Sequence, residues 1–402
     1  MLSLGLNRAQ YAEYRRTLTR SHTMKVTCHL LTPEHRLLRT IRHSLSAGQV
    51  DVTTPRLDGD SIEISRTASL RFFDPAQSLS LDDSTPVDNA FYLNRMVRVI
   101  YSVRCSFGWV DVPVFTGPIV SVDRDGDEVA VECQGKEVWA LGSAVRTAVL
   151  KGDRDDVTKR ILFRAGESSR YMQIPPGGGK AQATIGPQTK LWLKAWKAQA
   201  AAGRVLYYDG RGIAKAKRKP SKTALVLRVG DGGLLWREPR VSYRIDSSII
   251  NYSKVVGRKP SKGKKTRPSA EVVAPRGHTL SPWRLGRNEE PLYLTGDGRG
   301  FIENTELKTN AACQRLAERT IQDSLLQHVE VVAETYPIPD LEPWDILQVA
   351  TRGVSVRFRV DEFTLPLVQR GDGESMSIGA RKPTKRFTYA SERRRRKPRR
   401  RR

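Results

Sequence analysis

The strongest constraint on the fold is the alternation of apolar and polar residues in eight short segments between residues 24 and 134. In segments such as MKVTCHLL and RMVRVIYSVR, apolar residues recur at about every second position, which is the period of a β-strand with one buried face. Turn sequences separate the segments, for example Asp58-Gly59-Asp60 and Asp125-Gly126-Asp127. Eight strands within about 110 residues predict a closed or nearly closed β-barrel.

Residues 241–380 contain a second set of alternating segments, beginning with VSYRIDSSIINYSKVVG and ending with DILQVAT, VSVRFRVDEFTL and SMSIGA. The first stretch predicts one long bent strand or two abutting strands, and a 3.6-residue period over residues 305–326 predicts a helix. The order of strands and turns from Ile346 to Ile378 repeats the order from Val97 to Cys133. Unrelated β-meanders also resemble one another, but we interpret the repeat as a duplication and predict a second barrel.

Between the two β regions, residues 135–240 change to a helical period. KEVWALGS and DRDDVTKRILFRAG predict two helices, and a third helix ends at Gly203 before a hairpin. Residues 1–23 include a short helical pattern and are predicted to be an arm outside the first core. The predicted fold class is therefore mainly β with an α+β insert, in which two β-barrel domains, residues 24–134 and 241–380, flank a mixed α/β middle domain.

Composition excludes several classes of protein. Apolar residues make up 39% of the chain, and no uncharged apolar run reaches the roughly 18 residues that a membrane span requires. The N-terminus lacks the sustained apolar core of a secretory signal, so we expect the chain to be made and kept in a cytoplasm. The four cysteines are widely spaced without a C-x-x-C pair, which predicts buried thiols.

No set of residues predicts catalysis. Gly177-Gly178-Gly179-Lys180 lacks the spacing of a phosphate-binding loop, and Arg370-Gly371-Asp372 lies where a hairpin turn explains its glycine. The histidines and cysteines form no metal-binding cluster. We therefore expect no enzyme activity, no catalytic residues, no cofactor and no metal.

Much of the net charge of +26 lies in three segments, which are residues 258–267, residues 381–402 and a block of five basic residues from Lys215 to Lys222. We name residues 258–267 the basic loop and residues 381–402 the basic tail. Charge blocks of this kind cannot pack into a core, so they are either solvated segments or docking surfaces for acidic protein or phosphate. The predicted partner-binding residues are Arg258, Lys259, Lys262, Lys264, Lys265 and Arg267 in the loop, and Arg393, Arg394, Arg395, Arg396, Lys397, Arg399, Arg400, Arg401 and Arg402 in the tail.

Three stretches resemble the hub proteins of phage tail tips and baseplates. They are KLWLKAWKAQAAAGRVLYYDGRG, with a helix that leads into an Asp-Gly hairpin, the VSYRIDSSIINYSKVVG strand, and YPIPDLEPWDILQV before the last β region. Pro343-Trp344-Asp345 replaces the Pro-Gly-Asp that is usual in that family, which leaves the turn type open. Together the resemblance covers roughly residues 24–380 in the order of elements.

The resemblance implies a homotrimer in which two tube-like barrels per chain adapt a six-fold tail ring to a three-fold tip. Its implied partners are the distal tail protein ring, the tape-measure protein and spike, fibre or receptor-binding tip proteins. It implies a role in host attachment and genome ejection, and a place in the virion tail tip after assembly in the host cytoplasm. The charge of the basic tail itself predicts that it docks onto an acidic surface of another tail protein or lines a channel where DNA passes without sequence recognition.

The alternative function is a nucleic-acid-binding protein with oligonucleotide-binding barrels whose basic segments grip phosphates. Such a protein needs exposed aromatic side chains on its barrel faces for base stacking. Here Phe72, Phe73, Trp109 and Phe358 lie within apolar strand patterns, which predicts that they belong to the core.

Overall fold

The structure is a computed structural model that describes residues 1–55, 57–58, 61–76, 79, 91–142, 146–230, 232–243, 249–259, 266–287, 289–305, 307–325, 329–351, 354–368 and 375–381. These residues form a mainly β protein with one large mixed sheet and several small ones, which confirms the mainly β prediction. The fold divides into two compact units. Unit 1 comprises Met1–Val241 and Val331–Ala380, and unit 2 is built on Ser242–Glu330.

The helices and strands of the N-terminal part follow the predicted alternation. They are α1 (Arg8–Leu18), β1 (Met24–Leu31), β2 (Leu37–Ile41), β3 (Leu45–Thr53), β4 (Leu57–Asp58), β5 (Ser61–Ile62), β6 (Arg66–Phe73), β7 (Met96–Cys105), β8 (Gly108–Asp125) and β9 (Glu128–Gln134). The middle part alternates helices and strands: α2 (Glu137–Gly142), β10 (Ala148–Asp153), α3 (Arg154–Arg164), β11 (Met172–Gln173), β12 (Lys180–Ile185), α4 (Leu191–Ala201), β13 (Arg204–Tyr208), β14 (Ala214–Arg218), β15 (Thr223–Arg228) and β16 (Arg240–Tyr243).

The remaining elements comprise a small αβ group and four final strands. The group consists of β17 (Tyr252–Val256), β18 (Ser269–Val273), α5 (Pro282–Leu285), β19 (Phe301–Glu303) and α6 (Asn310–Leu325). The final strands are β20 (Val329–Thr335), β21 (Ile346–Thr351), β22 (Val354–Pro366) and β23 (Met376–Arg381). The helix predicted over residues 305–326 is therefore α6, and the VSYRIDSSIINYSKVVG stretch contains two strands, β16 and β17.

The large sheet has the strand order β16-β20-β23-β22-β3-β6-β9-β8-β7-β1-β2, with β21 paired to β22 and β15 paired to β21. Strand β22, from the second predicted barrel, pairs antiparallel with β3 of the first, for example Thr364 opposite Asp51. The described strands form no closed barrel, so the sheet differs from the two separate barrels that the sequence predicted. The physical reason is that alternation shows which face of a strand is buried but not which strand meets its edge.

The N-terminal segment was predicted to be an arm outside the core, and the structure corrects this prediction. Leu2, Tyr14 and Leu18 are at most 4% exposed and belong to the main core of unit 1. Tyr14 and Leu18 are four residues apart in α1, so they lie on one side of the helix and are buried together. Asn7 caps the helix by accepting a 2.9 Å hydrogen bond from the Gln10 backbone amide.

Unit 2 contains a three-stranded sheet, β18-β17-β19. Buried Asn251 connects its loops, because its side-chain nitrogen donates to the carbonyls of Leu280 (3.1 Å) and Leu292 (3.0 Å). Its side-chain oxygen accepts a 2.7 Å hydrogen bond from the Leu294 amide. A fully buried amide with all these partners stabilises the loops that it connects.

All four cysteines are buried and free, which confirms the prediction of buried thiols. Burial raises the pKa of the Cys28 thiol to about 12, so this thiol is not a nucleophile near neutral pH.

Candidate partner-binding surfaces

Eight consecutive strands of the large sheet, β16-β20-β23-β22-β3-β6-β9-β8, form what we name the wall. Strand β6 shows how its two faces differ, because Ala68, Leu70 and Phe72 are buried while Arg71 and Phe73 are exposed. Cross-strand pairing extends the outward face of β6 to its neighbours. The resulting wall face spans five of the eight strands, β22, β3, β6, β9 and β8, and carries Gln49, Asp51, Thr53, Thr67, Ser69, Arg71, Phe73, Ser121, Asp123, Asp125, Glu128, Ala130, Glu132, Gln134, Glu362 and Thr364.

Hydrogen bonds between strands order the polar side chains of the wall face. The Ser69 hydroxyl donates to a Glu132 carboxylate oxygen at 2.6 Å. The Thr364 hydroxyl donates to an Asp51 carboxylate oxygen at 2.6 Å across the junction of β22 with β3. This second contact lies where the two predicted barrel regions meet, so the polar face is continuous across the junction.

The wall face is acidic although the chain as a whole is strongly basic. Its charged members are one base, Arg71, and six acids: Asp51, Asp123, Asp125, Glu128, Glu132 and Glu362. Arg71 is itself paired with Glu128 at 3.0 Å. Sequence reasoning concentrated on the basic segments and missed this surface. The sequence contains a signal for this surface in EVAVEC, because Glu128 and Glu132 stand at alternate positions that β9 places on one face.

Behind the wall, Arg66 lies on the buried side of β6 and is 4% exposed. Its guanidinium donates to the Val114 carbonyl at 2.9 Å, to the Tyr208 carbonyl at 3.3 Å and to the Glu342 carboxylate at 2.7 Å. Burial raises the pKa of Glu342, and the charge of Arg66 opposes that rise. Arg66 therefore joins β6 to β8, to β13 and to the loop that contains Glu342 through its buried hydrogen bonds.

A second buried cation, Lys136, pairs with Glu167 at 2.6 Å and is 2% exposed. Burial lowers the pKa of Lys136, while the Glu167 carboxylate opposes that effect. Glu167 also accepts a 2.9 Å hydrogen bond from the Tyr208 hydroxyl. Because every member of this cluster is bound within the protein, we interpret it as structural.

The basic loop connects the antiparallel strands β17 and β18 of unit 2. Of its predicted binding residues, the structure describes Arg258, Lys259 and Arg267; Lys262, Lys264 and Lys265 lie outside the described residues. The Arg258 amide donates to the Leu307 carbonyl at 2.8 Å, and the Arg267 guanidinium pairs with Glu303. The predicted residues of the basic tail, Arg393, Arg394, Arg395, Arg396, Lys397, Arg399, Arg400, Arg401 and Arg402, also lie outside the described residues.

The aromatic residues that were predicted to be in the core divide into two pairs. Phe72 and Phe358 are 1% and 2% exposed, as predicted. Phe73 and Trp109 are 46% and 38% exposed, so for them the prediction is wrong. Period two explains Phe73, because a strand that buries Phe72 must turn the next side chain outward. The Lys25 ammonium lies 4.5 Å from the Trp109 ring centroid and packs against one face of the ring.

Two absences hold for the part of the chain that the structure describes. It contains no group of three or more His, Cys, Asp or Glu side chains that could hold a metal ion. Within the same ranges, no helix has the length and apolar character that crossing a membrane requires.

Neither the protein-family models nor the curated protein sequences gave a match to this chain. Among solved structures, a tail protein from Neisseria meningitidis MC58 superposes with a TM-score of 0.56 at 12% sequence identity, over 89% of this chain and 97% of that chain. The 43 kDa tail protein of prophage MuSo2 from Shewanella oneidensis superposes with a TM-score of 0.54 at 13% identity, over 89% and 98% of the two chains. The fold is therefore one found in phage tail proteins, and the resemblance inferred from sequence is confirmed at that level.

Proposed function

We propose that this chain, which has a phage tail protein fold, is a structural hub that closes the tail tube at the tail tip or baseplate of a virion. In this proposal three copies assemble, each offering two tube-like regions, residues 24–134 and 241–380, to a six-fold tail ring. The hub has no catalytic role and takes part in host attachment and genome ejection. Its partners are the distal tail protein ring, the tape-measure protein, and a spike, fibre or receptor-binding tip protein.

The observation that carries the proposal is the wall with its continuous acidic face. The two β regions contribute four strands each to this wall, which is what a subunit with two copies of a ring-forming unit requires. A face lined by Asp and Glu repels phosphate, so DNA that slides past it is not held. That property suits a channel wall, and it is unexpected on a chain with a net charge of +26.

The same face argues against the nucleic-acid-binding alternative. A single-strand binder combines a basic groove with a series of stacking aromatic residues. Along the wall face the charge has the opposite sign, and among its members only Phe73 is aromatic. One face of the Trp109 ring packs against the Lys25 ammonium. We therefore retain the structural role alone.

The basic segments supply the contacts to neighbouring proteins in this proposal. The basic loop reaches an adjacent tail protein or subunit, and the basic tail docks onto an acidic protein surface. Arginine forks bind carboxylates in fixed bidentate pairs, whereas contacts to passing DNA would be independent of sequence and weakened by salt.

The test of the proposed function is the number and place of copies in the particle. We expect three copies per tail, all at the distal end of the tube, in tails labelled on this chain and imaged by cryo-electron microscopy. Labelling a major tube protein in parallel provides the control for counting. Six copies per tail, or label distributed along the tube, would contradict the proposal.

Shortening the basic loop should leave the fold intact and impair assembly. The Gly257 amide donates to the Pro268 carbonyl at 2.7 Å, so a two-residue Asn-Gly turn in place of residues 258–267 can connect the two strands. The lost Arg267–Glu303 pair is partly exposed and contributes at most about 1 kcal/mol to stability. We expect a melting temperature within a few degrees of the parent, together with fewer complete particles.

The matched control keeps the loop length and replaces its six basic residues with Ser and Gln. If charge makes the contact, this variant should assemble as poorly as the shortened one. Loss of soluble, folded protein in both variants would show that the loop belongs to the fold and would refute the docking role.

A further inference from the structure

The Lys136 side chain is enclosed within unit 1 and touches a carboxyl there. Its Nζ lies 2.6 Å from Glu167 Oε2, and both side chains are at most 5% exposed. Three aromatic rings surround Nζ, with centroids 5.9 Å away in Trp139, 5.3 Å away in Tyr171 and 5.5 Å away in Tyr208. An amine and a carboxyl are therefore held in contact at a place from which water is largely excluded.

Hydrogen bonds to both oxygens hold the Glu167 carboxyl in a fixed position. Oε1 accepts from the Ser168 amide at 3.0 Å, and Oε2 accepts from the Tyr208 hydroxyl at 2.9 Å. The Tyr208 ring is itself positioned by stacking on Trp192, with ring centroids 5.1 Å apart. Because an O–H donor draws electron density from a carboxyl group, the contact with Tyr208 makes the carboxyl carbon of Glu167 more electrophilic.

The contacts of His35 indicate that Lys136 is able to act as a neutral amine. Burial, together with the charges of Lys136 and Arg98, lowers the pKa of His35 to about 3, so its ring is neutral at neutral pH. A neutral imidazole has one donor and one acceptor nitrogen, whereas a guanidinium only donates. Arg98 lies 3.0 Å from Nδ1, which leaves the hydrogen on Nε2, and Nε2 lies 2.9 Å from Lys136 Nζ. That contact is a hydrogen bond only when Nζ accepts it, which requires an unprotonated amine.

Burial favours the same protonation state of Lys136. Burial lowers the pKa of Lys136, the Glu167 carboxylate opposes that effect, and the charge of Arg98 adds to it. When the amine is neutral, the proton of the ion pair lies on Glu167, so neither group keeps a buried charge. A neutral amine in contact with a neutral carboxyl is the pair of groups that reacts to form an amide.

We propose that Lys136 and Glu167 join in an intramolecular isopeptide bond, which the protein forms without a cofactor or a second protein. The Lys136 nitrogen attacks the side-chain carboxyl carbon of Glu167, and a C–N bond forms while the C–O bond to the hydroxyl group breaks. The departing hydroxyl takes one proton from the nitrogen and leaves as water. An amine and a carboxylic acid thus become an amide and one water, so that atoms and charge balance and no oxidant or reductant is needed.

The bond joins the segment between β9 and α2 to the segment that follows α3. It closes the chain between residues 136 and 167, and a covalent loop of this kind stabilises a fold by restricting the unfolded chain. It also replaces a buried ion pair with a neutral amide. The inference rests on contacts within unit 1 and not on the proposed function.

Mass spectrometry of the full chain tests the bond without any substitution. The purified protein is kept at neutral pH for several days and measured under denaturing conditions, and we expect its mass to be lower than the sequence mass by one water. A succinimide at an Asp-Gly pair also loses one water, so a tryptic digest locates the change. Trypsin does not cleave after a modified lysine, so residues 125–146 should stay in one peptide, joined to the peptide of residues 165–170.

The same digest contains a matched control. Lys254 pairs with Glu271 at 2.8 Å, a similar distance, but these side chains are 43% and 54% exposed. Solvent keeps an exposed pair of this kind ionised, and an ammonium is not a nucleophile. We therefore expect complete cleavage after Lys254. A joined peptide at this exposed pair would mean that enclosure is not the cause of the reaction and would overturn the inference.

Two variants test the roles of individual groups. Lys136→Arg keeps a cation beside Glu167, but a guanidinium stays protonated and does not attack the carboxyl, so this variant should have the full sequence mass. Tyr208→Phe keeps the ring and removes only the hydroxyl that contacts Glu167. Its bond should form roughly tenfold more slowly or less, measured as the joined fraction at successive times after cell-free synthesis.

The parent protein decides the outcome even if a variant fails to fold. Full sequence mass and complete cleavage after Lys136 would overturn the inference and leave Lys136 and Glu167 as an ordinary buried ion pair. A water loss located at an Asp-Gly pair, or one that persists in Lys136→Arg, would overturn it as well. None of these measurements depends on tail assembly, so the copy number in tails judges the hub proposal independently.

Discussion

Replacing Arg66 with methionine is expected to lower the free energy of unfolding by roughly 3–5 kcal/mol. The guanidinium is buried and forms hydrogen bonds to two carbonyls and to Glu342. Methionine fills similar space but leaves the Glu342 carboxylate, which is 3% exposed, without the guanidinium that donates to it. Breaking one side of a buried ion pair costs more than removing both sides, because the remaining charge has lost its hydration. Urea denaturation followed by circular dichroism measures the change.

Two control variants make the Arg66 result specific. Arg66→Met with Glu342→Leu removes both charges and should recover most of the lost stability. Arg71→Met removes an exposed member of the wall face that pairs with Glu128 and should cost less than about 1 kcal/mol. If Arg66→Met and Arg71→Met lowered the free energy of unfolding by equal amounts, the buried hydrogen bonds of Arg66 would not stabilise the fold as argued.

The effect of Arg66→Met should also depend on pH in a defined direction. Burial raises the pKa of Glu342 above 4.5, and the loss of Arg66 removes a charge that opposes this rise. A carboxyl whose pKa is higher in the folded state than in the unfolded state contributes stability at low pH and loses it as the pH rises. The stability deficit of Arg66→Met should therefore shrink as the pH falls towards 4.5 and should be largest at neutral pH.

The sequence predicted the strands of the wall well and their partners poorly. The alternation of apolar and polar residues predicted β7, β8 and β9, and it also indicated the repeated order of strands in residues 346–378. The pairing of β22 with β3 was not predicted, because Thr364 and Asp51 are 313 residues apart in the chain and nothing local links them. Periodicity gives the buried face of each strand, whereas edge pairing depends on contacts made after the whole sheet forms.

Some features of the site were visible in the sequence but were not used. In RTASLRFF, Arg66 has the same parity as Ala68, Leu70 and Phe72, so one face of the strand contains a charged residue among apolar ones. An arginine in that position needs buried hydrogen-bond partners, and the structure supplies them. The partners themselves were unpredictable, since Glu342 comes from a loop 276 residues away in the chain.

Reversing charge on the wall face should have the largest effect on function. Glu132→Lys and Glu362→Lys replace two exposed acids of the wall face, and in the proposed trimer they place six lysines around the channel. Lysines in such a ring would bind the phosphates of passing DNA, and the release of each contact costs free energy. We expect genome ejection in vitro to slow by on the order of tenfold at low salt, while particle assembly stays normal.

Salt dependence and two control variants identify the cause of that slowing. Phosphate contacts weaken steeply as salt rises, so the variant should approach the parent rate at high ionic strength. Glu132→Gln with Glu362→Gln removes the acids without adding cations and should slow ejection much less. Glu63→Lys adds a lysine at an exposed position outside the wall face and should leave the rate unchanged. A doubly lysine-substituted wall that ejects DNA at the parent rate in low salt would mean that this face does not line the DNA path. The reason for its acidity would then have to be sought in a protein partner.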